Sequence, residues 1–234
     1  MLPISINEEI FLSTPQFKCG FIYYHDIVVD ESPNMLKGRL DFFQEKIRAD
    51  LLEKSYSEFE GLNEWRKIFK QLGIDPQRYR PSHESLFRRI GKGTDLPFVH
   101  SAVDLNNFFS LQYEIPIGIY DISALRDYIK ISIGTETDEY EGLNGRKNRM
   151  RGKLLAADGN GAFGSPIVDS IRTKTDKSTT EAVQIFFLRP SMSVGEAEEL
   201  LQAAAKMFFQ LHSGNSEIKL LHRQKPEAEL SLNR

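Results

Sequence analysis

Three polar residues interrupt an otherwise apolar stretch of the chain, and their side chains are able to bind a small polar ligand. Asp104, Asn106 and Asn107 lie within LPFVHSAVDLNNFFSLQYEIPIGIYDI, which occupies residues 96–122. A buried polar side chain costs free energy unless it meets hydrogen-bonding partners. The pattern therefore predicts either a buried hydrogen-bond network or a functional site, and both interpretations stay open at this point.

A second polar group combines hydroxyls with a carboxylate and a guanidinium in one short segment. This segment is DSIRT, in which Asp169, Ser170, Arg172 and Thr173 carry the functional groups. Such groups can orient a small polar ligand. They are equally typical of a turn before the apolar strand predicted from residue 183 onward.

A third feature is a concentration of positive charge in the glycine-broken segment GLNGRKNRMRGK. Lys and Arg on a solvated hairpin loop need no functional explanation. A basic face can, however, contact the phosphates of a nucleic acid, and a predicted helix earlier in the chain extends this face. The residues assigned to phosphate contact are Arg88, Arg89, Arg146, Lys147, Arg149 and Arg151.

The elements that must position these groups follow from hydrophobic periodicity and turn residues. Residues 96–122 predict a helix, a Pro-led turn and a short strand. Helices early and strands late, with helices at both ends, indicate an α+β fold in one compact domain over residues 1–222, followed by a flexible polar tail over residues 223–234. Other helices are predicted at about residues 36–51, 59–72, 83–90 (with Ser82 as the cap) and 194–211, and strands at about 2–6, 17–29, 128–134, 153–157, 183–189 and 218–221.

The composition narrows the class of protein. Apolar residues make up 40% and charged residues 27% of the chain, as in soluble globular proteins. A net charge of −3 argues against coating nucleic acid by bulk electrostatics, although a local basic face is compatible with it. The single cysteine, Cys19, excludes an intrachain disulfide. No apolar run is long enough to cross a membrane, so we expect a cytoplasmic protein.

Most sequence motifs that signal a cofactor or a known reaction are absent. The chain has no phosphate-binding GxxxxGK[ST] loop, no GxGxxG after a strand, no HExxH and no GxSxG. Its histidines are not spaced as metal ligands. We therefore expect neither a cofactor nor a metal.

Several short motifs follow one another between residues 64 and 190. Val103-Asp104 and Asn107-Phe108 lie on the predicted helix, Pro116 leads a turn that ends in Tyr120-Asp121, LLAAD closes at Asp158, and Thr180 precedes Val183 as T-x-x-V. In this order they resemble the editing and tRNA-binding module, formed by the third and fourth domains, of the phenylalanyl-tRNA synthetase β subunit. That family has a V-D-x-T-N-Y helix, a Q-P-M-H-A-F-D turn, an L-V-I-A-D strand and a T-x-x-V strand entry.

This resemblance implies both a fold and a function. The fold is a single α+β domain with a β-sandwich-like core of mixed sheets and helices packed outside. Upstream features such as Trp65-Arg66, Leu72-Gly73 and Tyr79-Arg80-Pro81-Ser82 look like free-standing versions of the module. The implied function concerns aminoacyl-tRNA, because the synthetase module hydrolyses tyrosine that was wrongly attached to the phenylalanine tRNA.

The resemblance also implies which residues form the site. Asn107 would orient the aminoacyl group, and Asn106 takes the position of the neighbouring Thr in the family motif. The family's turn histidine falls on Gly118, and its pocket glutamate falls near Ile171. The implied substrate-binding residues are therefore Asn106, Asn107, Gly118, Tyr120, Thr173 and Thr180, and the nearest candidates for the catalytic role are Asp169, Ser170 and Arg172.

Two hypotheses from different functional classes follow. The first is a trans-acting proofreading hydrolase that removes an amino acid from a mischarged tRNA by means of an oriented water and donors for the developing oxyanion. The second is a non-catalytic module that binds tRNA or a free amino acid. A single cavity shared by Asn107, Gly118 and residues 169–172 is the geometric expectation of both.

Overall fold

The protein is described here by a computed structural model, which covers residues 1–232. Its helices agree with the predicted ones within a few residues, and a short helix near the N-terminus is additional to them. Two single-turn 3₁₀ helices lie at Tyr56–Glu58 and Ile122–Ala124. The α-helices are α1 (Glu8–Ser13), α2 (Asn34–Glu53), α3 (Glu60–Gln71), α4 (Ser82–Gly91), α5 (Ser101–Tyr113) and α6 (Val194–His212).

The strands form two main sheets and a small hairpin. One sheet has the order β11-β1-β4-β7-β8, in which only β1 and β4 are parallel, and the other has the antiparallel order β10-β2-β9-β3. The hairpin consists of β5 and β6. The strands are β1 (Leu2–Ile6), β2 (Lys18–His25), β3 (Ile117–Asp121), β4 (Ile129–Ile133), β5 (Glu139–Glu141), β6 (Lys147–Arg149), β7 (Leu154–Asp158), β8 (Gly161–Gly164), β9 (Glu181–Phe187), β10 (Asn215–His222) and β11 (Glu227–Leu230).

One continuous core joins both main sheets to the helices. Ile4 and Ile131 from one sheet and Phe21 and Phe186 from the other belong to the same buried cluster, as does Trp65 of α3. A shared core of this kind is what makes one domain out of several layers. The α+β prediction is therefore confirmed. Within residues 1–232, no helix has the length and apolar character that a membrane crossing requires.

Strands β5, β6 and β8 were not predicted, and β2 is shorter than the strand predicted at 17–29. Two further local features also differ from the sequence-based expectations. Ser82 is the first residue of α4 and not its cap, because extended Pro81 occupies the cap position and the Ser82 amide donates to the Pro166 carbonyl at 2.7 Å. Within the predicted tail, β11 pairs antiparallel with β1, and the alternation of exposed Glu229 with buried Leu230 is typical of a half-buried strand. The last two positions of the tail, 233 and 234, lie outside the described residues.

The segment on which the site depends is the succession of α5 and β3. His100 caps the start of helix α5: its backbone is extended (φ −164°, ψ 165°), and its ring accepts a hydrogen bond from the Val103 amide at 3.4 Å. Glu114 is the cap at the end of the helix and has a positive φ of 54°. Pro116 then leads into β3, and β3 pairs antiparallel with β9 as an edge strand. This confirms the predicted helix, turn and strand.

Candidate functional site

A cavity of about 540 Å³ lies between α4, α5, β3 and the loop that follows β8. Its volume is in the range that accommodates a small organic ligand, and its walls are largely apolar, with Val103, Ile117, Ile119 and Ile167 among them. The polar residues that line it are Ser82, His100, Asn106, Asn107, Ser110, Asp169, Lys174, Thr175 and Asp176.

The alternation of β3 decides which of its residues reach this cavity. Side chains at positions two apart point to the same face of a strand. Ile117 and Ile119 form part of the cavity wall, whereas Gly118 and Tyr120 are absent from the described residues that line it. The two latter residues, predicted to bind substrate, lie behind the wall on the opposite face of β3.

Asn106 lines the cavity, but both ends of its amide are already bound. Its Nδ2 donates to the Ile117 carbonyl at 3.0 Å, and its Oδ1 accepts from Gln184 Nε2 at 2.9 Å. Gln184 Oε1 in turn accepts from the Tyr24 hydroxyl at 2.9 Å. This chain of buried hydrogen bonds ties α5 to β3 and β9, so the main role of Asn106 is to hold the wall in place.

Asp104 has a comparable structural role on another side of α5. Its carboxylate accepts the Ser32 hydroxyl at 2.5 Å and the Val99 amide at 3.0 Å. It therefore ties the start of α5 to the chain ahead of α2, and it does not line the cavity in the described part of the chain. Of the polar trio in residues 96–122, two members thus form buried networks.

Asn107 is the member of the trio whose amide is free to act on a ligand. Its side chain is half-buried and lines the cavity, and it makes no hydrogen bond with any residue in the range 1–232. An amide offers two N–H donors and a carbonyl acceptor. Asn107 can therefore orient an ester or a carboxylate that enters the cavity.

Asp169 is one of the residues that line the cavity, and Tyr120 holds its carboxyl group. The hydroxyl of buried Tyr120 donates to Asp169 Oδ1 at 2.5 Å. As a residue Asp169 is half-buried, but its carboxyl group is enclosed by protein atoms, and this desolvation raises its pKa to about 7. The hydrogen bond from Tyr120 acts in the opposite sense and lowers that pKa. A carboxyl group that titrates near neutrality is suited to general-base catalysis.

The backbone of Asp169 is fixed by the β5–β6 hairpin. The Leu143 amide donates to the Asp169 carbonyl at 2.9 Å, and the Ile171 amide donates to the Glu141 carbonyl at 2.9 Å. Leu143 also lines the cavity. The hairpin therefore both sets the position of the acid and borders the opening.

Replacing Tyr120 by phenylalanine should raise the pKa of Asp169 above its value of about 7. The substitution removes the hydroxyl that stabilises the ionised carboxylate and leaves the desolvation in place. NMR titration of the Asp169 carboxyl carbon measures this change. Tyr128→Phe on the exposed Tyr128 is the control and should leave the titration unchanged; an unaltered curve in Tyr120→Phe would show that the hydroxyl does not act on Asp169.

The Tyr120 hydroxyl reaches Asp169 through a space that two glycines keep open. A Cβ atom on Gly118 would lie 2.0 Å from Tyr120 Oη, and one on Gly164 would lie 2.3 Å from it. Atoms this close cannot coexist, so any side chain at either position would force the ring to move. Gly118, the position at which the resemblance expects a histidine, is thereby linked to the Tyr120–Asp169 contact.

Gly118→Ala should lower the free energy of unfolding by about 1–3 kcal/mol, because overpacking a buried site costs this much. It should also break the contact of Tyr120 with Asp169. Urea unfolding measures the loss of stability. Gly38→Ala is the matched control, since the added methyl meets no atom within 4 Å in helix α2; it should be neutral or stabilising. Equal stability of Gly118→Ala and the wild type would contradict the packing described.

The remaining hydroxyls of the DSIRT segment bond to each other and not to a ligand. Ser170 and Thr173 are buried, and their hydroxyl oxygens lie 3.0 Å apart. The Thr173 hydroxyl also lies 3.5 Å from the Phe163 carbonyl oxygen. In the described part of the chain neither residue lines the cavity. The turn interpretation of these hydroxyls is the one that fits their contacts.

Arg172 and Thr180 lie away from the cavity as well. The Arg172 guanidinium binds the buried carboxylate of Asp158 through two hydrogen bonds, of 3.0 and 2.8 Å, and it also donates to the Ala124 carbonyl at 2.9 Å. It therefore ties the segment after β8 to the β7–β8 turn. Thr180 is exposed and lines a separate polar depression together with Asp121. Of the three predicted catalytic residues, the structure brings only Asp169 to the cavity with Asn107.

The predicted phosphate-contacting residues lie on α4 and on the β5–β6 hairpin, except for Arg151, which lies two residues after β6. Several are engaged in ion pairs: Arg88 with Glu84, Lys147 with Glu139 and Arg151 with Glu136. Arg89, Arg146 and Arg149 are exposed, and within residues 1–232 they form no ion pair. These three guanidinium groups are the ones most available to an outside anion.

Two residues that line the cavity, Thr175 and His100, were not among the predicted site residues. Thr175 is buried, and its hydroxyl has no hydrogen-bond partner among residues 1–232, although it lines a cavity. His100 donates from Nε2 to the Thr175 carbonyl at 3.0 Å, given that its Nδ1 caps α5. The hydroxyl-rich run TKTDKSTT is a signal for Thr175, but without periodicity it does not indicate which hydroxyl faces inward.

The described residues hold no cluster that resembles a metal centre. Nowhere in positions 1–232 do three or more His, Cys, Asp or Glu side chains converge as metal ligands would. Among the described residues that line the cavity, the residues of these types are Asp169, Asp176 and His100, and His100 is engaged as the cap of α5. The functional groups of the lining residues are carboxyl groups, amides, hydroxyls, an imidazole and the ammonium of Lys174.

Comparison with known proteins agrees with the region singled out from the motifs. Residues 64–206 match the family model of the B3/4 domain. The "Uncharacterized protein YhzB" of Bacillus subtilis (strain 168) is 34% identical over 218 residues, which are 93% of this chain and 99% of that protein. An N-terminal fragment of the phenylalanyl-tRNA synthetase β subunit from Pyrococcus horikoshii aligns with a TM-score of 0.45 and 12% identity over 92% of this chain, which spans only 49% of that fragment. Since the family model covers more than half of its length, this chain belongs to the B3/4 domain family.

Proposed function

We propose that this chain is an aminoacyl-tRNA-related protein that removes a wrongly attached amino acid from tRNA in trans. The observation that carries the proposal is the meeting of Asp169 and Asn107 in one cavity of about 540 Å³. The order of motifs between residues 64 and 190 supports the same assignment, because it resembles the synthetase editing module.

The reaction at this site would be the hydrolysis of an ester. Ionised Asp169 takes a proton from a water, the oxygen of that water attacks the ester carbonyl carbon, and the bond to the ribose oxygen breaks. The Asn107 amide is able to donate a hydrogen bond to the carbonyl oxygen as negative charge develops on it. Protonated Asp169 returns its proton to the ribose oxygen, which leaves as a hydroxyl, and the new carboxyl group of the amino acid releases its remaining proton to solvent.

The cavity walls would select the aminoacyl group. The apolar side chains of Val103, Ile117 and Ile119 suit an apolar amino-acid side chain. The unpartnered hydroxyl of Thr175 offers a hydrogen bond to a polar atom of the ligand. A ligand that leaves this hydroxyl unpaired would bind less well, because a buried unsatisfied group is costly.

The tRNA itself would bind through the basic residues that border the opening. Arg89 of α4 and Arg146 and Arg149 of the hairpin are exposed, and each phosphate they contact would release counterions. Such binding weakens steeply as salt is added. Because the overall charge of the chain is −3, attraction to the tRNA would have to come from this local basic face.

A panel of mischarged tRNAs, each incubated with the protein, tests the proposal. At least one mischarged tRNA should lose its amino acid faster than in buffer alone. A correctly charged tRNA whose amino-acid side chain does not fit the cavity should lose its amino acid at the uncatalysed rate. Release at the uncatalysed rate for every member of the panel would end the hydrolytic proposal.

Gly118 favours a second candidate function, which is binding without turnover. Where the resemblance expects a histidine, Gly118 adds no functional group, and the space above it is filled by Tyr120. The chain would then recognise tRNA or a free amino acid in the same cavity. Salt-sensitive tRNA binding with no loss of the ester would support this function.

A further inference from the structure

A smaller concavity of about 230 Å³ lies beside the main cavity. The two share the side chains of Ile167 and Val168, which form a wall between them. Whereas the main cavity is largely apolar, basic residues dominate the polar part of the smaller one. The residues that line only the smaller concavity are Tyr79, Lys147, Asn148, Arg149, Met150 and Lys153.

Lys153 brings a buried positive charge to this concavity. The residue is 8% exposed. Its ammonium donates to the Arg149 carbonyl at 2.5 Å and lies 4.3 Å from the centre of the Tyr79 ring. No carboxylate among residues 1–232 forms an ion pair with it. Buried charges are normally paired, so this ammonium is poised to bind an anion.

The neighbouring cations leave the concavity positive. Lys147 forms an ion pair with Glu139 at 2.5 Å, which balances its charge. Arg149 lines the same space, is exposed and forms no ion pair with a described residue. Lys153 and Arg149 together present an ammonium and a planar guanidinium, a combination well suited to phosphate oxygens.

We infer that this concavity is a phosphate-binding subsite, formed by Lys153 and Arg149 across the wall from the aminoacyl cavity. The identity of the bound phosphate rests on the proposed function. The subsite would bind a phosphate of the nucleotide whose ribose carries the ester. The wall residue Val168 directly precedes Asp169. A ligand that spans the wall would thus bring its ester to the acid, with the acyl group on one side and the phosphate on the other.

Anion binding to the whole protein tests this subsite without reference to hydrolysis. Inorganic phosphate, adenosine 5′-monophosphate and adenosine are each titrated into the protein, and binding is followed by the NMR shifts of the amides of Arg149 and Lys153. Phosphate and the nucleotide should compete for one site, and adenosine should not displace phosphate. Tighter binding of the nucleotide than of phosphate would identify the nucleotide as the source.

Three substitutions complete the test. Lys153→Met keeps the apolar stem and removes the charge, and Arg149→Gln removes the exposed guanidinium; each should weaken phosphate binding about tenfold or more. Lys206→Met on the exposed face of α6 is the matched control and should bind phosphate as the wild type does.

The outcomes separate this inference from the proposed function. Phosphate affinity that is equal in wild type, Lys153→Met and Arg149→Gln, or no phosphate binding at all by the wild type, would overturn the subsite. Phosphate binding that depends on both residues, in a protein that hydrolyses no mischarged tRNA, would support the subsite and contradict only the hydrolysis.

Discussion

Asp169→Asn should slow ester release from a mischarged tRNA by about 10²–10⁴-fold, the usual contribution of a general base. The amide keeps the shape of the side chain and is able to accept the hydrogen bond from Tyr120, but it cannot take a proton from water. Single-turnover deacylation measures the rate, and tRNA binding should stay close to that of the wild type. Asp41→Asn on the exposed face of α2 is the control and should be fully active. Full activity of Asp169→Asn would remove Asp169 from the reaction.

The same substitution has a consequence for stability that depends on pH. Burial raises the pKa of Asp169 to about 7, so the folded state favours the protonated form. The stability that comes from this protonation is fully present below the ordinary aspartate pKa of 3.8 and is lost as the pH rises through about 7. The free energy of unfolding of Asp169→Asn minus that of the wild type should therefore be larger at pH 8 than at pH 5. An equal difference at both pH values would contradict the raised pKa.

Arg172→Ala should lower the free energy of unfolding by about 1–3 kcal/mol and leave the chemistry of the cavity intact. Loss of one partner of a buried ion pair can cost about 3–5 kcal/mol, but Arg172 is 33% exposed and Asp158 also accepts from the amides of Arg126 and Asn160. Both facts reduce the expected loss. Urea unfolding measures it.

The control for this substitution is Arg223→Ala, which removes an exposed arginine and should be neutral. The test distinguishes a structural from a catalytic arginine. If Arg172→Ala were as stable as the wild type and yet inactive in deacylation, Arg172 would belong to the reaction after all, as the resemblance implied.

Elements with a strong local signal were predictable from the sequence. The apolar stripe of α3 and the Ser193–Glu196 capping box of α6 are properties of neighbouring residues, and both helices are found where the patterns indicate them. The same holds for the Pro-led turn into β3. The strand β11 was missed because its pairing partner, β1, lies at the other end of the chain.

The site was predictable only in part, for a physical reason. The motifs indicated Asp169 and Asn107, but they did not show that Arg172 turns to Asp158 or that the amide of Asn106 is used up by Gln184 and the Ile117 carbonyl. These contacts join residues 11 to 78 positions apart, and they are decided by the packing of sheets and loops. Short-range patterns carry no information about them.

The apparent defect at Gly118 also has its explanation in three dimensions. In the sequence, Gly118 takes the position where the resemblance expects a histidine, and it provides no functional group. In the structure it is the space that lets the Tyr120 hydroxyl reach the acid. With glycine at position 118 the chain lacks the imidazole of a histidine but has room for the contact between Tyr120 and Asp169. This relation becomes visible only in the folded structure.

A crystal structure of the protein with a non-hydrolysable aminoacyl-adenosine, in which an amide replaces the ester, tests the central claim most directly. We predict that the acyl group occupies the cavity of α5 and β3, with its carbonyl within hydrogen-bond distance of Asn107 and its linkage beside the Asp169 carboxyl group. An analogue bound elsewhere on the protein, with this cavity empty, would contradict the account.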